Sequence, residues 1–142
     1  MTEWTAQEIL QQAQMNGISS MLGTIVYLRQ RGESIDEWAK YLGEMFAPGW
    51  QGLRDASALD VMHSAVFNPV SLGGQLVSID GDDKRASAVI DFPIKEMAEE
   101  IGVSVEEFDR VMTNIYNAIF DFLGINFTSQ RDGERWTYEL SY

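Results

Sequence analysis

VSVEEFDRVMTNIYNAIFDFLGINFTSQRDGERWTYELSY, residues 103 to 142, changes its hydrophobic period partway along. In its first half Val105, Phe108, Val111, Met112, Ile115, Ile119, Phe120 and Leu123 keep helical spacing, and in its second half Trp136, Tyr138, Leu140 and Tyr142 recur at alternate residues. A switch from a period of about 3.6 to one of 2 marks a helix packed on an antiparallel sheet. Gly124 stands where a helix-ending glycine belongs, and Asp132-Gly133 offers the backbone conformations of a tight turn. The stretch predicts a helix over 105–123 and a hairpin of strands 125–130 and 134–142.

Upstream, the pattern Ser/Thr-x-x-acid marks four helix starts: Thr5 with Glu8, Ser34 with Glu37, Ser57 with Asp60 and Ser104 with Glu107. In each, the hydroxyl accepts an orphan amide at the helix start and the acid reaches back. The first predicted helix runs to about residue 30, with Asn16-Gly17 a break or kink. The second carries Trp38, Tyr41, Leu42, Met45 and Phe46 on one apolar stripe that ends at Pro48-Gly49, and the third covers 58–66, stopping before Asn68-Pro69. Strands over 74–80 and 85–92 flank the polar turn Gly81-Asp82-Asp83-Lys84, and a short helix over 94–101 ends at Gly102. Helices segregated from hairpins, without βαβ alternation, predict one α+β domain over residues 1–142. Its helices cover one face of a four-stranded antiparallel sheet made from two hairpins.

Composition narrows the function classes. The 142 residues include no cysteine, which removes disulfide, thiolate and zinc-ribbon chemistry and makes an intracellular, cytoplasmic setting the expectation. The opening MTEWTAQEIL has neither a basic start nor a continuous apolar core, so no leader is expected, and no run is long enough to span a membrane. A formal net charge of −12, with no Lys/Arg cluster, argues against nucleic acid and anionic lipid as partners.

His63, the only histidine, follows Asp60 by three helical positions, half of a helical metal site or a general base with its carboxylate. The other half is missing, because only Glu37 and Glu44 stand near as helpers and adjacent Ser64 points about 100° away. Catalysis by His63 and Asp60 therefore stays an alternative, with no metal and no cofactor expected. Asp80, Asp82 and Asp83 lack the calcium-loop spacing and read as a solvated turn. The aromatics are more numerous than a minimal core needs. Met112, Tyr116, Phe120, Trp136 and Tyr138 are the candidate ligand-binding set, placed between the long helix and the terminal hairpin. Trp50, just past the second helix on a Pro-Gly turn, is expected to be out of reach of a monomer's core, and with the Trp38 stripe it predicts a homodimer.

The order of elements, with Val89-Ile90-Asp91-Phe92-Pro93 ending a strand pair and Ile119-Phe120-Asp121-Phe122-Leu123-Gly124-Ile125 leading into a terminal hairpin, resembles the 4-vinyl-reductase-type small-molecule-binding domains. These are similar in broad architecture to TRAPP-type vesicle-tethering subunits. The resemblance spans about residues 59–142 and implies a hydrophobic pocket between helices and sheet. It implies no metal or thiol chemistry, since Arg131-Asp132-Gly133-Glu134-Arg135 occupies the turn where those domains carry cysteine and glycine. The expected function is binding of a small apolar or aromatic ligand in a sensing or carrier role. The alternatives are a small enzyme using His63 and a structural homodimeric interaction subunit.

Overall fold

The computed structural model describes residues 3–142; Met1 and Thr2, which begin the stretch read above as carrying no leader, lie outside the described residues. The chain runs α1 (Ala6–Gln30), α2 (Ile35–Phe46), a 3-10 helix (Ala47–Leu53), α3 (Ala58–Ser71), β1 (Gln75–Gly81), β2 (Arg85–Asp91), α4 (Lys95–Ile101), α5 (Val105–Leu123), β3 (Asn126–Asp132) and β4 (Arg135–Ser141). All four Ser/Thr caps form. Thr5, Ser34, Ser57 and Ser104 accept from the amides of Glu8, Glu37, Asp60 and Glu107. Each contributes about 1 kcal/mol to its helix. At Thr5 the reciprocal bond from the backbone amide to Glu8 completes the box, and these bonds hold the exposed Glu8 carboxyl below its ordinary value.

The sheet is antiparallel in the order β1-β2-β4-β3, so the two hairpins join through β2 and β4 and the fold is α+β. Its covered face carries Ala86, Ala88 and Ile90 from β2 and Trp136, Tyr138 and Leu140 from β4, all buried. α3 lies over β1 and β2, where the alanines leave room for it, and α5 lies over β3. α2 forms a further layer on α5. There Gly43 is a packing requirement, because a β-carbon at this position would lie 2.4 Å from the Ile115 carbonyl oxygen and 2.6 Å from the Ala118 β-carbon.

Several local expectations are corrected. The α2 stripe divides: Trp38 and Leu42, half-buried, pack against the core beside the fully buried Ala39 and Gly43, whereas Tyr41, Met45 and Phe46 are exposed. Close helix packing selects the small residues for the contact and turns these last three out. Trp50 does reach the core, edge-on to Phe120 at 5.9 Å between ring centroids. α1 passes through Asn16-Gly17 without a break. Arg131 belongs to β3 rather than to the turn, and its guanidinium pairs with Asp109 through two bonds of 2.6 and 2.9 Å while donating to the Phe92 carbonyl. At Asp109 burial outweighs that pairing and raises the carboxyl above its ordinary value.

The third helix does not stop before Asn68-Pro69 but runs on to Ser71. Proline has no amide hydrogen, so Pro69 orphans the carbonyl four residues back, that of Ala65. The Tyr116 hydroxyl of α5 donates to the Ala65 carbonyl at 2.8 Å. A tertiary contact thus supplies the bond that the helix lacks.

Candidate functional site

The junction of α5 with the terminal hairpin is closed by rings. Tyr116 stacks on Phe120 at 5.5 Å, Tyr138 stands edge-on to Tyr116 at 5.4 Å and to Trp136 at 4.9 Å, and Phe127 fits between Tyr116, Phe120 and Tyr138. Phe120, Trp136 and Tyr138 are at most 1% exposed, and rings at these separations leave no space for a ligand among them. The Tyr138 hydroxyl is buried without a hydrogen-bond partner and faces that of Tyr116 outside bonding geometry. Burial pushes both phenols above their ordinary values.

An open cleft of about 390 Å³ lies about a quarter-turn around α5 from the hairpin. Its walls are Met112, Ile115 and Ile119 of α5, Met21 of α1 and Leu72 at the end of α3. Phe46 and Trp50 form its rim, the second held by Phe120 and the first half exposed. The polar groups are gathered at the α3 side: Asn68, Ser71 and the edge of Tyr116. Ser71 Oγ is spent on the Asn68 carbonyl at 2.7 Å, and the Tyr116 hydroxyl on Ala65. The half-buried Asn68 carboxamide, which lies against the Tyr116 hydroxyl, is the polar handle left to the cleft. An apolar cavity with one amide able both to donate and to accept is the usual composition of a small-ligand site.

Of the five expected ligand residues, Met112 and Tyr116 line this cleft, whereas Phe120 supports it from behind through Trp50 and Trp136 and Tyr138 are packed under the helices. Met21, Asn68, Ser71 and Leu72 were not singled out for a site. The signal they offer is an Asn-Pro pair and a terminal serine at the end of an apolar helix, a pattern that reads as a helix stop.

His63 is exposed on α3, and Asp60 is engaged in the cap, its carboxylate accepting from Ser57 Oγ at 2.8 Å. Ser64 bonds the Asp60 carbonyl rather than His63. Among the described residues no group of three or more His, Asp or Glu side chains is arranged to hold a metal ion. Asp82 builds its own turn, its carboxylate accepting from the amides of Lys84 at 2.7 Å and Arg85 at 2.9 Å, which hold it below its ordinary value. The carbonyls of Asp82 and Asp83 take the free amides of Leu59 and Ala58, so this turn clamps the start of α3. Among the described residues no helix is long and apolar enough to cross a membrane. Searches against protein-family models and curated proteins found no match to the chain.

Proposed function

We propose that the protein binds a small, mostly apolar ligand in the cleft between α5, the end of α3 and Trp50, and serves as a sensor or carrier. The observation that carries this is the combination of a cleft of about 390 Å³, two methionines in its walls and one half-buried carboxamide at its α3 side. That volume falls in the range of small-molecule sites, and methionines let the wall adapt to the shape of an occupant. The resemblance to 4-vinyl-reductase-type domains favours the same class of function, with the pocket moved from the sheet side of α5 to its α3 side. A cytoplasmic setting belongs to this reading and is supported by the absence of cysteine.

The test uses a set of neutral flat probes, indoles and naphthols, followed by thermal unfolding and Trp fluorescence. Binding raises the melting temperature progressively above the dissociation constant, by about 2.7 kcal/mol of stability at a hundredfold excess over it. In Asn68→Leu the same probes lose affinity by about tenfold or more, the worth of one buried hydrogen bond. A protein that melts cooperatively and responds to none of the set refutes the proposal.

A further inference from the structure

The cleft beside Trp50 has no charged side chain in its walls, and a chain with a formal net charge of −12 repels anions. An ionised group would enter it without a partner, so its occupant is neutral. What else the occupant carries depends on where the hydrogens of the walls are engaged. Apart from the Trp50 N–H at the rim, the polar side chains that line the cleft are Asn68, Ser71 and Tyr116. A hydroxyl has one hydrogen to donate and two lone pairs with which to accept. The Ser71 hydroxyl gives its hydrogen to the Asn68 carbonyl at 2.7 Å, and the Tyr116 hydroxyl gives its own to the Ala65 carbonyl at 2.8 Å. Both oxygens are left with lone pairs alone.

Asn68 is oriented by the same constraint. It follows Ala65 by three positions on α3, so its side chain stands about one turn along the same face, on the side toward which the Ala65 carbonyl points. This places the carboxamide beside the Tyr116 oxygen that already donates to that carbonyl. Only the NH2 end of an amide can bond to an oxygen whose hydrogen is engaged elsewhere. Burial raises the Tyr116 phenol above its ordinary value and Asn68 opposes the rise, as a donated amide hydrogen does.

We infer that Asn68 turns its NH2 to Tyr116 and its Oδ1 to the cleft, and that the ligand is a neutral, mostly apolar molecule with an N–H or O–H donor at its edge. This rests on the ligand-binding reading above and narrows it. The α3 side of the cleft then presents three oxygens that accept: Asn68 Oδ1, Ser71 Oγ and the Tyr116 oxygen. A ring carrying only an acceptor would set lone pairs against lone pairs, and a ring carrying neither group would leave Oδ1 unpaired.

Calorimetric titration of the full chain with three neutral bicyclic probes tests this. Indole brings a donor, benzothiophene is of similar size without one, and quinoline brings only an acceptor. Indole should bind about tenfold more tightly than either of the others, the worth of one hydrogen bond in a site built to make it. In Asn68→Leu, checked for cooperative melting, indole should lose about tenfold in affinity while benzothiophene and quinoline lose none. If that variant does not fold, the wild-type ranking of the three probes decides alone. Quinoline that binds more tightly than benzothiophene, with an advantage that disappears in Asn68→Leu, places the carboxamide the other way round and overturns the inference. Equal affinities for indole and benzothiophene overturn it as well and leave the ligand-binding reading standing. Failure of all three probes to bind overturns both.

Discussion

Replacing Tyr116 with Phe removes one oxygen from a residue that is 1% exposed, and the structure says what that oxygen does. It donates at 2.8 Å to the Ala65 carbonyl, which Pro69 has deprived of its helical partner. The variant keeps the ring and its stacking on Phe120, so the change isolates the hydrogen bond. Losing a bond while leaving a buried acceptor unpaired costs about 1–3 kcal/mol, and we take about 2 kcal/mol for a carbonyl in a residue with no solvent exposure. For a chain of this length that lowers the melting temperature by about 8 °C. Tyr138→Phe is the control. Its hydroxyl is buried without a partner, so removing it should be neutral or stabilising by up to about 1 kcal/mol. A double-mutant cycle then identifies the mechanism: Pro69→Ala restores an amide four residues after Ala65, so Tyr116→Phe in that background should cost about 1 kcal/mol less than in the wild type. Urea unfolding of the four proteins gives the coupling. Equal costs in both backgrounds, or no cost at all, would refute the account of how α3 continues through its proline.

Gly43→Ala should destabilise by about 1–3 kcal/mol in urea, despite the gain of about 1 kcal/mol an alanine brings to an open helical site, because the new methyl group meets the backbone of α5. At Asp109, burial raises the folded carboxyl above its unfolded value of about 3.9. The stability this group contributes is therefore fully present below that unfolded value and lost as pH rises through the raised one. The wild type's advantage over Asp109→Asn should shrink as pH rises above the unfolded value, and an advantage that grows with pH there contradicts the assignment. His63→Gln should change stability by less than about 0.5 kcal/mol and leave metal content unaltered in mass spectrometry of the native protein, since the imidazole is exposed and Asp60 serves the cap.

The elements that could be read along the chain are those whose signals are local. Four hydroxyl caps, the two helix-ending glycines Gly102 and Gly124, and the alternation from Trp136 to Leu140 act over three or four residues and are met by the structure. What the sequence hides is what depends on a distant partner. Pro69 reads as a stop until Tyr116, 47 positions on, is seen to take the carbonyl it orphans. Arg131 reads as part of a polar turn until Asp109 claims its guanidinium. The α2 stripe reads as one apolar face, and only the close approach at Gly43 shows that it divides, with Trp38 and Leu42 on the core and Tyr41, Met45 and Phe46 outside it. The candidate site follows the same rule: its aromatic members were visible as a group, but which rings pack together and which border open space is decided by how α3 and α5 meet.

The claim that a ligand enters beside Trp50 rather than beneath the terminal hairpin is tested most directly by two-dimensional NMR of the titrated protein. Addition of a neutral flat probe should shift the Trp50 indole N–H and the methyl groups of Met112, Ile119 and Leu72, which line the cleft, and leave the Trp136 indole and Leu140 methyls unmoved. Shifts centred on Trp136, Tyr138 and Leu140, or a saturating probe set that moves no signal in the cleft, would contradict it.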